Sequence, residues 1–83
     1  MPVEWCMDSD FCKQYTFIKK TKQIVTYQEV ATLRGKVNTY IDQVDCENFK
    51  HRYRETTDKK FDGWSDFDLT NAGSIRPVMD NWC

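Results

Sequence analysis

An apolar stripe runs through the middle of this chain, and in a sequence of 83 residues an element of that length decides the architecture. Val30, Leu33, Val37, Tyr40 and Val44 recur at alternating spacings of three and four, with Ile41 beside them. One face of an α-helix has that period. Just upstream, Thr26-Tyr27-Gln28-Glu29 has the form of a capping box, in which the Thr hydroxyl accepts from a first-turn amide while Glu29 reaches back, and Val25 can staple against Val30. The spacing therefore predicts a central helix from Thr26 to about Val44. Gly35 is its discordant residue, costing about 1 kcal/mol relative to alanine inside a helix.

The flanks read as hairpins. Gln14 to Ile18 and Gln23 to Val25 supply β-branched and aromatic residues around a Lys19-Lys20-Thr21-Lys22 turn, which predicts a hairpin feeding the helix. Phe11, Tyr15 and Ile18 also fit helical spacing behind Ser9, so residues 9–20 stay open between strand and helix. After Val44 the stripe fails, and Phe49 with Tyr53 begins a short second helix from about Cys46 to Arg54, capped by Asp45. Asp62-Gly63 between Phe61 and Trp64 predicts a type I′ hairpin with strands at 58–61 and 64–69. Residues 70–77 read as loop, with Val78, Met79 and Trp82 packing back. The expected fold is thus α+β: one compact domain over residues 1–83, with a central amphipathic helix on one or two antiparallel hairpins plus a short second helix.

Size and composition limit what such a fold can do. A chain this short buries only about 60 to 65% of its unfolded surface. The 14% aromatic content raises the burial available per residue and argues against disorder. No apolar run approaches the ~20 residues of a membrane span, so no membrane association is expected. Three glycines leave no room for a phosphate-binding loop, and the single histidine, His51, lies between Lys50 and Arg52 with no nucleophile nearby in sequence. The chain reads as a non-enzyme without a cofactor.

The four cysteines, Cys6, Cys12, Cys46 and Cys83, lack the paired knuckle spacing of a zinc site. The chain opens Met1-Pro2-Val3-Glu4 with no apolar leader, so they read as reduced thiols in a cytoplasmic protein, with a disulfide framework following instead if a leader has been removed. Asp58 to Leu69 matches a calcium loop at Asp58, Asp62, Gly63 and Asp66. It places Lys60 and Leu69 where ligands are required, so no metal is expected.

Charge divides into three blocks beneath a net value of -1. Residues 1–12 carry three acids and no base, residues 13–60 carry eleven bases against six acids, and residues 61–83 carry four acids against Arg76. Segregated charge steers encounter with a partner. Asp62, Trp64, Asp66, Phe67 and Asp68 interleave carboxylates with aromatic anchors, which predicts a docking surface for a larger protein. That surface suits the basic groove of a nucleic-acid enzyme. The domain would then be a small inhibitor, adaptor or other regulatory binding module, and an aromatic face could equally close a homodimer.

A second reading comes from residues 27–44. Counted from Tyr27, the fifth, ninth, fifteenth and eighteenth positions are Ala31, Gly35, Ile41 and Val44, which resembles the small, glycine and aliphatic positions of a helix-turn-helix element. Arg34 and Lys36 depart from that pattern at positions it keeps apolar. The resemblance implies a regulator of duplex DNA, with Asn38, Thr39 and Gln43 at the bases and Lys36, Lys50 and Arg52 at phosphate.

Overall fold

The computed structural model describes residues 3–67 and 73–83. Over them the chain is an antiparallel meander, and this overturns the helix-on-hairpins expectation. The strands are β1 (Val3–Asp8), β2 (Phe11–Thr21), β3 (Ile24–Leu33), β4 (Lys36–Asp45), β5 (Lys50–Glu55) and β6 (Ser65–Asp66), followed by a 3-10 turn at Gly73–Ile75 and one helix, α1 (Arg76–Trp82). Their order in the sheet is their order in the sequence.

The expected central helix is the β3–β4 hairpin. Its register runs from Ile24 opposite Asp45 to Leu33 opposite Lys36, and the turn between is Arg34-Gly35, both with positive φ (50° and 82°). Eleven of the twenty-one residues from Ile24 to Val44 are β-branched or aromatic, which favours a pleated surface over a helix. The apolar stripe divides between faces. Leu33, Tyr40 and Val44 point one way, while Val30 and Val37 point the other, with Val37 61% exposed. The supposed capping box is dissolved as well, since Thr26 accepts a hydrogen bond from the Gln43 amide (3.1 Å) and Glu29 pairs with Lys13.

The second helix is likewise absent. Residues 46–49 form a turn in which the Asp45 carboxylate accepts from the amides of Glu47 and Asn48 (both 3.1 Å) and from the Asn48 side chain (3.0 Å), and the chain then continues as β5. Asp45 is accordingly held below its usual pKa, chiefly by the Asn48 side chain. Asp62-Gly63 does not close a hairpin: β6 pairs with β5 through Lys50–Asp66 and His51–Ser65, and residues 61–64 lie outside any strand. Within residues 9–20, Ser9 and Asp10 form a turn and residues 11–20 are strand, with the next turn at Lys22-Gln23.

Register sets the two faces of the sheet. Tyr15, Phe17, Val25, Tyr27, Glu29, Tyr40, Asp42, Val44, His51 and Tyr53 share one face. Irregularities between Cys6 and Asp8 and between Phe17 and Lys19 add local twist, and the sheet curls with that face inward. At one end α1 covers it. Val78 is fully buried against Tyr15, Val25, Tyr27 and Val44, and Trp82 meets Phe17 and Tyr27 with ring centroids 5.6 and 5.8 Å apart. This is the packing back expected of Val78, Met79 and Trp82. Residues 70–72 of the expected loop lie outside the described residues.

All four cysteines are oxidised, which corrects the thiol reading. Cys6 and Cys12 face each other across β1 and β2 and are bridged, and Cys46 is bridged to Cys83, tying the end of α1 to the β4–β5 turn. No helix among the described residues is long and apolar enough to cross a membrane.

Candidate functional site

Helix α1 covers only one end of the inner face. The rest forms a cavity of about 420 Å³, walled by Phe11, Leu33, Tyr40, Tyr53 and Ile75 and floored by Lys13, Tyr27, Glu29 and Asp42. The sheet builds that floor by simple alternation. Tyr27 and Glu29 are two apart on β3, Tyr40 and Asp42 two apart on β4, and the register sets Tyr27 opposite Asp42 and Glu29 opposite Tyr40. The two carboxyls are therefore diagonal neighbours. Lys13 arrives from β2, diagonal to Glu29, and its ammonium lies 3.2 Å from the Glu29 carboxylate.

Two carboxyls and one ammonium in a mostly buried site do not balance. Asp42 is 5% exposed and Glu29 9% exposed. Burial first, and then the adjoining Glu29 carboxyl through hydrogen bonding and charge, push the Asp42 carboxyl up to about 9, with Lys13 and the Tyr27 hydroxyl only partly opposing them. These effects favour the protonated form of Asp42 at neutral pH. Its Oδ1 has no hydrogen-bond partner, an expensive state for a buried polar atom.

Aromatic groups complete the setting. Tyr15 packs edge-on against Tyr27 (5.3 Å) and donates its hydroxyl to the Ser74 carbonyl (2.8 Å), fixing the 3-10 turn against the sheet. Burial raises the pKa of both tyrosines, so both stay neutral hydrogen-bonding groups. Tyr40 and Tyr53 stack edge to face at 5.7 Å, with Tyr53 61% exposed at the mouth. His51 is half-buried on the same wall, not solvated on a basic helix. Burial and then the Lys13 charge lower its pKa.

The residues singled out from sequence lie elsewhere, and the structure sets its two groups against each other. The Lys50 ammonium pairs with Asp66 at 2.8 Å, which holds Asp66 below its usual pKa. The Arg52 guanidinium lies 4.1 Å from the Trp64 ring and 4.7 Å from Phe61, and it donates to Gln43 (2.8 Å). Phe67 packs edge-on against Phe49 (6.1 Å) and His51 (5.7 Å). Asp62 is exposed, and Asp68 lies outside the described residues. Of the side chains assigned to DNA, Thr39, Gln43, Lys50 and Arg52 are on the outer face, whereas Asn38 lines the cavity and Lys36 stands exposed beside the turn. Strands, not a recognition helix, present them. Among the described residues no cluster of three His, Cys, Asp or Glu is placed to hold a metal.

The cavity residues are hard to see in the sequence because they are distributed over four strands. Their one local signal is a buried-type aromatic two residues before a carboxylate, Tyr27-Gln28-Glu29 and Tyr40-Ile41-Asp42, which is visible only once both segments are read as strands. Comparison with known protein families, with curated proteins and with solved structures finds no match.

Proposed function

We propose that this domain is a non-catalytic binding module whose working surface is the cavity of the curled sheet, and that it takes up a small ligand with an apolar body and a polar end. The observation that carries this reading is Asp42 Oδ1, a buried oxygen without a partner in an aromatic-walled cavity. Native proteins satisfy such atoms, and a ligand's polar end entering over Tyr40 and Tyr53 would do so here. Among the described residues nothing beside Asp42 has the arrangement of a nucleophile with its base, which favours binding over turnover.

Docking on a larger protein through Asp62, Trp64, Asp66 and Phe67 has less support. Trp64 and Phe67 are engaged within the domain, and Asp66 has its own counter-ion. Duplex DNA recognition loses the motif on which it stood, because residues 27–44 are a hairpin. The two disulfides favour an oxidising compartment over the cytoplasm.

Amide chemical-shift mapping with a panel of fragment-sized aromatic compounds bearing neutral, cationic or anionic ends tests the cavity. Saturable shifts are expected at Glu29, Ala31, Asn38 and Tyr40. Shifts confined to residues 61–67, or none at millimolar concentration, would refute this reading.

A further inference from the structure

We infer that the ligand of this cavity is a small organic cation, an ammonium on an aromatic or aliphatic body, whose charged end sits against the Asp42 carboxyl. The inference rests on the cavity being the binding surface. Its first support is the charge count on the floor: Glu29 and Asp42 stand against Lys13 alone, and Lys13 is already 3.2 Å from Glu29. One further positive charge is what the site lacks. The second support is the free Oδ1 of Asp42, an acceptor position with no donor, on a residue only 5% exposed. A third is the wall, since the faces of Phe11, Tyr27, Tyr40 and Tyr53 attract cations through their ring quadrupoles. The site already contains one such contact, with the Lys13 ammonium 5.8 Å from the Phe11 ring.

Charge and protons balance in the exchange. Asp42 enters as a neutral acid and the ligand as R-NH3+; the O–H bond of Asp42 breaks, its proton leaves to solvent, and the carboxylate accepts an N–H hydrogen bond from the ammonium. The floor carries the same net charge before and after. The groups facing Asp42 are Lys13 and Tyr15 from β2, Tyr27 and Glu29 from β3, Tyr40 on its own strand, and His51 and Tyr53 from β5, while the Arg52 guanidinium lies on the outer face against Trp64 and Phe61. His51 is neutral above its lowered value, so between about pH 7 and pH 8.5 Asp42 is the group whose proton the cation displaces.

The probes are 2-phenylethylamine and its neutral isostere 2-phenylethanol, titrated into the intact, oxidised protein by calorimetry in two buffers of different ionisation enthalpy. The amine is expected to bind with release of about one proton and with Kd falling up to about tenfold per pH unit across that range. The alcohol should bind at least about tenfold more weakly at the upper end, with no proton release. In Asp42→Asn the amine should lose its pH dependence and at least about tenfold in affinity while the alcohol is little changed. The native pH series stands without that variant should it fail to fold. Equal affinity for amine and alcohol with no proton release would overturn the cation inference and leave the cavity as a site for neutral ligands. Absence of binding by both, with no shift at the cavity amides, would overturn the inference and the cavity reading together.

Discussion

At the scale of single residues, Asp42 is the position where this protein gives up stability. A carboxyl pushed up to about 9 when folded, against an ordinary 3.8, holds its proton through a pH range in which the unfolded chain releases it. The folded state binds more protons there, so stability falls as pH rises from about 4 and levels off above about 9. Asp42→Asn keeps the shape and removes the titration. The melting temperature of the native protein should therefore decline from about pH 5 to about pH 9 while that of the variant stays flatter, the variant gaining about 2 kcal/mol or more by pH 8. A native curve that rises with pH, or parallel curves, would show that Asp42 is ionised in its cavity. Such a residue was not legible in the sequence. Asp42 sits among Ile41, Gln43 and Val44 like any surface aspartate, and its burial follows from strand pairings with β3 and β5 that no local pattern discloses.

At the scale of elements, the β2–β3 hairpin was legible only in part, since residues 9–20 fitted strand and helix alike, and the β3–β4 hairpin was not, for a definite reason. Gln14 to Ile18 and Gln23 to Val25 present β-branched and aromatic residues on both sides of a lysine-rich turn, which favours strand, while Phe11, Tyr15 and Ile18 also keep a helical spacing that no local signal removes. Along β3 and β4 the inner-face positions include Glu29 and Asp42, so strict apolar alternation is broken, and the leftover apolar residues from both faces fall by chance into a helical period. The turn residue separates the two descriptions. Gly35 has φ +82° and open space, with nothing within 4 Å, where a side chain would begin, so alanine there meets backbone strain and no clash. Gly35→Ala should destabilise by about 1 kcal/mol in a denaturant titration. In a helix the same change would stabilise by about 0.5 to 1 kcal/mol, so the sign distinguishes hairpin from helix.

At the scale of the whole molecule, the division of charge along the sequence is in part an account of internal pairing. The acidic-aromatic segment lies along the basic strand β5, with Asp66 on Lys50 and Trp64 on Arg52, so the blocks that suggested a partner partly answer each other. What holds the closing helix in place is covalent as well as apolar. The Cys46–Cys83 bridge spans 37 residues of sequence, and in the chain-entropy picture a loop of that length is worth about 4 kcal/mol, against about 2 for the 6-residue span of Cys6–Cys12. The margin of a domain this size is about 4 to 12 kcal/mol, so the long bridge accounts for a large part of it. Its loss also frees α1, whose Val78 and Trp82 close one end of the sheet over Val25, Tyr27 and Val44. A Cys46→Ser/Cys83→Ser double variant should therefore lose far more stability than Cys6→Ser/Cys12→Ser, whose strands remain paired through Val3–Tyr15 and Trp5–Lys13. Thermal melts followed by near-ultraviolet circular dichroism, which reports Tyr27 and Trp82 packing, would rank the two, and excess reductant should bring the native protein to or below the level of the first variant. Equal losses, or a larger loss from the short bridge, would show that α1 is held by packing alone.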